Sequence, residues 1–294
     1  MSDRKQHVIK MAHQLFIEKG FQATSIQDIL DYSGISKGTF YNYFSSKSEL
    51  LIALFKTIYK QLEKERNELL IGQDPSDIEI FIKQIELQMR TNRTNKLISL
   101  FEEVLVSNDT DLKQFMKRGQ LLTIRWVYER FIDIFGESKH PYLLDCAIML
   151  IGILHQNLKY YVLVHDSSAS IHRAVRYSVE RVVKMIDEVS KAGEQLIQPE
   201  FLDSWLPDCK KADQAFQQKL CQTIASLKKS LDCHEEKPKC MELLEFIQDE
   251  LLHSKKPRKF LIESALSSLK ESRDFLSEKQ FQALDQLVTH YFTQ

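Results

Sequence analysis

A short stretch near the N-terminus, residues 37–44 (KGTFYNYF), carries side chains that could contact a nucleic acid. On a helix with about 3.6 residues per turn, Phe40 and Phe44 share one face, which predicts that both are buried. The other positions are small or bear a hydroxyl or amide group, and they lie beside or opposite that face: Gly38, Thr39, Tyr41, Asn42 and Tyr43. Small residues allow close approach to base edges and hydroxyls can bind phosphate oxygens, so the pattern indicates a helix that contacts DNA.

The first turn of this helix is unfavourable for stability by itself. Lys37 places a positive charge at the positive end of the helix dipole, and Gly38 costs about 1 kcal/mol relative to alanine. Both become favourable if a phosphate approaches that end of the helix. Lys47 occupies an equivalent position in the next helix and could clamp a neighbouring phosphate. The alternative is that both lysines are solvated surface residues and that the two tyrosines are boundary packing.

Local signals place this stretch third in a run of four helices. Apolar residues at helical spacing over residues 8–16 predict the first helix. A capping box, either Thr24 with Gln27 or Ser25 with Asp28, opens a short second helix. Thr24 and Ser25 could also contact phosphate, although the capping role alone is enough to explain them.

A glycine and two cap residues separate the second, third and fourth helices. Gly34 lies in a tight turn, and Ser36 is the N-cap candidate of the third helix. Ser46 with Glu49 opens a long fourth helix that is predicted to end near Leu70. Two short helices joined by a glycine-containing turn form a helix-turn-helix pattern.

The composition of the 294 residues predicts an all-α protein. Eight glycines and six prolines are few for this length, and no stretch shows convincing strand alternation or a fixed-period repeat. Residues 194–207 are predicted to be a linker, because they contain Pro199 and Pro207. Beyond the fourth helix we expect helices near residues 76–91, 94–107, 110–135, 141–165, 169–192, 210–232, 239–253, 258–272 and 278–292.

Charge is distributed unevenly along the chain. The formal net charge is −1, but residues 1–60 hold eight Lys and Arg against five Asp and Glu, whereas residues 61–294 hold 32 against 36. A basic N-terminal segment on a slightly acidic remainder indicates one anionic partner at one end of the molecule.

Several other classes of protein are disfavoured. The first residues, MSDRKQHVIKMAHQLF, are not typical of a signal peptide, and the longest uncharged run of the most apolar region, residues 146–158, is 13 residues long, too short for a membrane span. The five cysteines form no CxxC pair and are expected to be reduced thiols. Without a signal peptide or a membrane span, we expect a cytoplasmic chain that does not bind a membrane. No catalytic motif is recognised, so we expect no enzyme activity, no cofactor and no metal.

Residues 9–55 resemble the DNA-binding domain of the tetracycline-repressor (TetR) family. The matching elements are A-x-x-L-F-x-x-K-G-F-x-A-T-S-I-x-D-I, then G-I-S-K-G-T-F-Y-x-Y-F, then S-K-x-E-L-L. The resemblance implies an all-helical homodimer that regulates transcription, usually as a repressor, and whose C-terminal domain binds a small molecule that releases the DNA. It also implies that Phe40 and Phe44 are core residues. The DNA contacts that it implies are Thr24, Ser25, Ser36, Lys37, Gly38, Thr39, Tyr41, Asn42, Tyr43 and Lys47.

The chain departs from the family pattern in two places. Many members carry histidine where this chain has Tyr43, whose hydroxyl can still bind phosphate. Typical members are also shorter, whereas 95 residues follow Pro199 here. The apolar stripes of this extra region require burial, in a separate helical subdomain, an enlarged dimer interface or a partner-binding module. We favour packing against the rest of the protein.

Two long helices, near residues 141–165 and 169–192, occupy the positions that form a four-helix bundle across the dimer in the family. Their apolar stripes either line that interface, which we favour, or form an intramolecular core. A two-fold axis would place the recognition helices about 34–36 Å apart, one DNA turn, which predicts a palindromic operator. The central aromatic residues either line a ligand cavity or are plain core. The candidates for ligand contact are Phe101, Trp126, Phe131, His155 and Tyr160.

These patterns predict three segments: a helix-turn-helix DNA-binding domain (residues 1–47), a helical ligand-binding and dimerisation domain (residues 48–193) and an additional helical extension (residues 194–294). The expected function is sequence-specific regulation of transcription, most simply repression relieved by a small molecule. The expected partners are double-stranded DNA, a second copy of the chain and an unidentified effector. The alternative is a DNA-binding structural or division-linked protein of the same fold, whose extension recruits a protein partner.

Overall fold

A computed structural model describes residues 3–165, 170–207, 211–231, 237–254, 257–271 and 278–293. These residues form helices and no strand, which confirms the all-α prediction. The chain divides into two compact units. Unit 1 comprises residues 1–66 and 75–206, and unit 2 comprises residues 67–74 and 207–294.

The helices lie close to the ranges predicted from the sequence. Those that begin in unit 1 are α1 (Asp3–Lys19), α2 (Ile26–Ser33), α3 (Lys37–Tyr43), α4 (Lys47–Glu68), α5 (Ile78–Thr94), α6 (Leu97–Val106), α7 (Thr110–Phe135), α8 (His140–His165), α9 (Ile171–Ala192) and α10 (Phe201–Trp205). Those of unit 2 are α11 (Lys211–Ser230), α12 (Lys237–His253), α13 (Lys259–Glu271) and α14 (Glu278–Thr293). The short helix α10 was not predicted; it lies in the stretch that was expected to be a linker.

The N-terminal part of unit 1, residues 3–55, is called the head, and the rest of unit 1 the body. Phe40 and Phe44 are buried in the apolar core of the head, as the helical spacing predicted. Side chains of α1, α2 and α4 surround them. The same core continues into the body, because it includes Leu100 of α6 and Leu112 of α7. The head is therefore packed firmly on α6 and α7.

The body core lies among α5, α7, α8 and α9. The apolar stripes of α8 and α9 that we favoured as a dimer interface are largely buried here within one chain: Leu143, Leu144, Ala147, Leu150, Leu154, Val175, Val179, Val182 and Ile186. Those side chains form an intramolecular core, which was the alternative interpretation. A face that contacts a second copy must therefore use other residues of α8 and α9.

Residues 194–206, called the strap, are held against the body by hydrogen bonds to buried charged groups. The carboxylate of Asp145 accepts hydrogen bonds from the backbone N–H groups of Leu196 (2.7 Å) and Ile197 (3.1 Å). Arg125 donates to Asp203 at 2.8 Å, and Leu202 is buried in the body core. These contacts explain why the stretch expected to be a linker is an ordered part of unit 1.

The segment Glu137–His165, which includes α8, is long and apolar enough to cross a membrane. A single helix of this kind is weak evidence for a span, because an apolar core helix of a soluble protein passes the same test. One face of α8 does contribute to the body core, through Leu143, Leu150 and Leu154.

Unit 2 has an apolar core of its own. The stripes of α11, α12 and α14 that required burial supply it, together with side chains of α13 such as Ile262 and Leu269. Cys221 and Cys240 lie in this core and form no disulfide. Cys146 of the body is also a free thiol, and burial raises its pKa to about 11. Cys209 and Cys233 lie outside the described residues.

Candidate nucleic-acid interface

Side-chain caps fix the start and end of α2. The Ser25 hydroxyl accepts a hydrogen bond from the Asp28 N–H (3.0 Å), and the Asp28 carboxylate accepts one from the Ser25 N–H (2.8 Å). Of the two capping boxes that the sequence allowed, the structure therefore forms the one at Ser25. Gly34 ends the helix in the left-handed conformation (φ 67°), which favours glycine. This turn sets the angle at which α3 leaves α2.

The helix α3 presents the polar face that its sequence predicted. Ser36 caps it by accepting a hydrogen bond from the Thr39 N–H at 3.1 Å. With Phe40 buried, Tyr41 is 46% exposed, and Lys37 and Asn42 are exposed beside it. Tyr43 is half-buried and packs against the head core. The helix contains no acidic residue, so Lys37 gives this face a positive charge.

Two charged side chains hold the turn between α1 and α2. The Lys47 ammonium donates to the carbonyl oxygens of Phe21 (2.7 Å), Gln22 (3.3 Å) and Thr24 (2.7 Å). The carboxylate of Glu103, on α6, accepts a hydrogen bond from the Gln22 N–H at 2.8 Å. Burial lowers the pKa of Lys47, partly offset by the nearby carboxylates of Glu103 and Asp28. The head is thus tied to α4 and α6 at the turn that positions α2.

Two of the predicted DNA-contacting residues are engaged inside the protein. Thr24 is fully buried, and its hydroxyl donates to the Gly20 carbonyl oxygen at 2.6 Å. Lys47 directs its ammonium group to three backbone carbonyls rather than to solvent. The other predicted contacts are exposed or half-buried residues at the start of α2 and in or next to α3: Ser25, Ser36, Lys37, Gly38, Thr39, Tyr41, Asn42 and Tyr43. Contact between these residues and DNA stays a prediction.

The five candidates for ligand contact are not brought together. Phe101 packs at the edge of the head core, whereas Trp126 and Phe131 belong to the body core. His155 and Tyr160 are exposed on the outer face of α8. Only Trp126 lies next to a group of buried polar side chains.

That polar group, which sequence reasoning missed, joins α4, α5 and α7. The Arg66 guanidinium lies 4.0 Å from the centre of the Trp126 ring and donates to the Gln88 side-chain oxygen at 3.1 Å. The Gln84 side chain donates to the Arg66 carbonyl oxygen (2.9 Å) and accepts from Arg130 Nε (3.0 Å). A sequence signal was present: Gln84 and Gln88 are one turn apart on the apolar face of α5.

Comparison with known proteins identifies related regulators. Residues 8–54 match the family described as bacterial regulatory proteins, tetR family. The chain is 28% identical over 279 residues to the uncharacterized HTH-type transcriptional regulator YerO of Bacillus subtilis, a match that covers 93% of this chain and 92% of that protein. It is 34% identical over 56 residues to the HTH-type transcriptional repressor KstR2 of Mycobacterium tuberculosis, covering 19% of this chain and 28% of that one. A transcriptional regulator from Aquifex aeolicus of known structure is 21% identical, with a TM-score of 0.44, over 63% of this chain and 99% of that chain.

The helix-turn-helix head and these relatives define the class: the protein is a non-enzymatic, DNA-binding regulator of transcription, whose described residues form helices and no strand. More specifically, residues 8–54 carry a helix-turn-helix domain of the TetR family, and YerO, which matches most of the chain, is named a helix-turn-helix transcriptional regulator. The match with YerO covers so much of the chain that it includes most of unit 2. The C-terminal extension is therefore shared with at least one curated relative.

Proposed function

We propose that the protein is a repressor that binds a palindromic operator as a homodimer and leaves it when a small molecule binds the body. The observation that carries the proposal is the polar face of α3. Phe40 anchors the helix in the head core, while Lys37, Tyr41 and Asn42 project from the other side with no acidic residue among them. The name of KstR2, a repressor, supports repression over activation, through a match of 56 residues.

The contacts divide by chemistry. Thr39 and Asn42 face base edges, and Gly38 lets the DNA approach closely. The Lys37 ammonium binds a phosphate, and so do the hydroxyl groups around the base-contacting residues, which belong to Ser25, Ser36, Tyr41 and Tyr43. We place Thr24 and Lys47 behind this surface, as residues that position α2, because both are engaged within the protein.

The dimer is proposed to form through the outer face of α8. That face includes Gly152, whose lack of a side chain allows close approach, and the apolar residues Tyr160 (58% exposed) and Leu163 (77% exposed). Exposed apolar residues of this size on one helix face favour contact with another chain. His155 lies on the same face. Burial in a dimer would also explain why α8 is apolar on both sides.

The effector is proposed to bind in the body, next to Trp126. This residue is the one ligand candidate that adjoins buried polar groups. The head is joined to this region by α4, which begins at Lys47, the residue bonded to the turn between α1 and α2, and includes Arg66 near its end. The proposal places the protein in the cytoplasm, where it has access to the chromosome.

Selection of genomic DNA fragments by the full-length protein, at about 50 and 150 mM salt, tests the DNA-binding part of the proposal. We expect one enriched palindrome that survives the higher salt concentration. Asn42→Ala should relax specificity at one base pair in each half-site, at a cost of about 1–3 kcal/mol. Lys37→Ala should weaken binding to all sequences and lower the salt slope by about one, whereas the matched control Lys83→Ala, on α5, should do neither.

The same selection discriminates against the alternative function. Diffuse, salt-sensitive enrichment without a motif would overturn sequence-specific repression and favour a structural DNA-binding protein. Size-exclusion chromatography with light scattering tests the dimer. Leu163→Glu should give monomers, and a dimer that survives this change would exclude the outer face of α8 as the interface.

A further inference from the structure

The body contains a half-buried arginine, Arg66, that forms no ion pair with a described carboxylate and that has a buried, unsatisfied donor. The Arg66 side chain is stacked on Trp126 and donates one hydrogen bond, to the neutral side chain of Gln88. Its Nε atom is buried and has no hydrogen-bond partner. Among the described residues, no carboxylate lies within ion-pair distance of this guanidinium.

An arrangement of this kind is costly unless something else compensates it. Burying a charged group without a counter-charge costs several kcal/mol, and buried charges in proteins are normally paired. Burial lowers the pKa of Arg66 to about 10, partly offset by the charge of the Glu63 carboxylate, so the group remains charged at neutral pH. Selection for stability alone would favour an uncharged side chain of similar size at this position.

A second arginine with an unsatisfied donor belongs to the same group of polar side chains. Arg130 is 3% exposed and donates to Gln84 (3.0 Å) and to Asp133 (2.7 Å). Its Nη2 atom is buried and has no partner. Gln84 links the two arginines, because its amide also bonds the Arg66 backbone, and Trp126 lies one helical turn before Arg130 on α7. Two unsatisfied guanidinium donors therefore lie around one glutamine and one indole ring.

Arg125, on the same helix, shows what a structural arginine of this protein looks like. It is 3% exposed and contacts two carboxylates, those of Asp203 (2.8 Å) and Glu129 (3.4 Å), although its Nη1 atom is also buried without a hydrogen-bond partner. Its charge is therefore compensated within the chain. Arg130 has one such carboxylate, that of Asp133, whereas Arg66 has none among the described residues. The contrast indicates that Arg66 is arranged for a partner that is not part of the protein.

We propose that the effector is an acidic molecule, and that its oxyanion, a carboxylate or phosphate group, is bound by the free N–H donors of Arg66 and Arg130. Guanidinium groups suit this role because they form short, charge-assisted hydrogen bonds with such oxygens. The aromatic pair Phe81 and Trp126, whose rings are 5.9 Å apart, forms the apolar wall for the rest of the ligand. This inference rests on the proposed function in placing the effector in the body.

Thermal unfolding of the full-length protein at constant ionic strength tests the site. The probes are benzoate, octanoate and inorganic phosphate, with benzamide and octanamide as uncharged counterparts. We expect at least one oxyanion to raise the melting temperature of the wild type above the value with its uncharged counterpart or with chloride. The dissociation constant from titration calorimetry should then rise about tenfold or more in Arg66→Met. If none of the three anions stabilises the protein, the proposal is overturned.

Stability without ligand separates a binding role from a structural one. Arg66→Met should melt at the wild-type temperature or above it, because it removes an uncompensated buried charge and keeps a side chain that can lie on Trp126. The matched control is Arg90→Met, which removes an exposed arginine of α5 and should keep the full response to the anion. Arg66→Lys retains the charge but not the planar fork, and should bind the anion with intermediate affinity. A large loss of stability in Arg66→Met, or an unchanged anion response, would show that Arg66 is a structural residue.

Release of DNA is measured separately, with the fragment recovered in the genomic selection. An anion that binds through Arg66 but does not release the fragment would support the site and contradict the proposed mode of repression. A ligand that releases the fragment equally well from the wild type and from Arg66→Met would support the proposed mode of repression and contradict the site. The two failures are therefore distinguishable.

Discussion

The head and the body place their polar side chains in opposite ways. In the head, the polar residues of α3 lie on the surface, and the side chains that cap its helices are bonded to near neighbours in the sequence, as Ser25 is to Asp28. In the body, charged groups are buried and find partners far away in the sequence, as Asp145 does at Leu196. The head is thus a small apolar core that presents a polar face, whereas the body keeps charges inside. A surface for DNA suits the first arrangement, and a site that responds to a ligand suits the second.

The largest effect should come from the core of the head. Phe40→Ala removes a fully buried ring and should destabilise the head by about 3–5 kcal/mol, measured by urea denaturation. Tyr41→Ala, one residue further on, should change stability by no more than about 0.5 kcal/mol because the ring is exposed. If Phe40→Ala stays as stable as the wild type and loses only DNA specificity, the division between the buried and the presented face of α3 is wrong.

A buried charge of the body should give the next effect. Asp145→Ala leaves the N–H groups of Leu196 and Ile197 without their acceptor, which should cost about 2–4 kcal/mol. Limited proteolysis should then cut the strap, residues 194–206, faster than in the wild type. The control Asp187→Ala removes an exposed carboxylate from α9 and should cost less than about 1 kcal/mol. Equal effects of the two changes would contradict the view that the body depends on its buried charges.

A substitution of Lys47 tests whether this residue positions the head or contacts DNA. Lys47→Ala removes three hydrogen bonds to the turn between α1 and α2, and should destabilise the head by about 1–3 kcal/mol. The salt dependence of DNA binding should stay unchanged, because the ammonium group is engaged within the protein. Lys56→Ala, an exposed lysine of the same helix, is the control. A fall in the salt slope of about one at unchanged stability would instead establish a phosphate contact.

The smallest effect is a pH-dependent change in stability caused by Glu129 of the body. Burial raises the pKa of Glu129 to about 7 from its ordinary value of 4.5, although Arg125 opposes the shift. Between these values the folded state keeps a proton that the unfolded state has lost, so the contribution of Glu129 to stability falls as the pH rises through this window. Glu129→Gln should therefore gain stability relative to the wild type between pH 5 and pH 8. The gain should be less than about 1 kcal/mol, because the side chain is 41% exposed and solvent screens it. Urea denaturation at both pH values measures it, and a difference that is independent of pH would exclude the raised pKa.

The head was predictable from the sequence because its signals are local. Capping residues, Gly34 and the spacing of Phe40 and Phe44 all act within one or two helical turns, and the structure confirms the caps at Ser25 and Ser36, the turn at Gly34 and the two buried rings. The capping box predicted at Ser46 is half formed: Ser46 accepts from the Glu49 N–H, but the Glu49 carboxylate accepts from the Ser45 N–H. The helices of the body and of unit 2 were also found close to their predicted ranges, since each has its own apolar period.

The contacts between helices were less predictable. Asp145 and Leu196 are 51 residues apart, and Arg130 and Gln84 are 46 apart, so no local pattern joins them. The short helix α10 was missed because so short a segment is stabilised by contacts with distant residues, the packing of Leu202 in the body core and the ion pair of Asp203 with Arg125. For the same reason an apolar stripe predicts burial without showing what covers it, and the inner faces of α8 and α9 proved to be covered by the chain itself.

The helix α4 is continuous and runs from the head into the body. From Lys47 to Arg66 it runs for about 28 Å, at about 1.5 Å per residue. At that length, a tilt of about 5° at the Arg66 end would displace the Lys47 end by about 2.5 Å. In a symmetric dimer the two heads would move in opposite directions, and their separation would change by about 5 Å, which exceeds the 3.4 Å rise of one base pair. A shift in the body no larger than a rotamer change would then be enough to put two recognition helices out of step with successive turns of DNA.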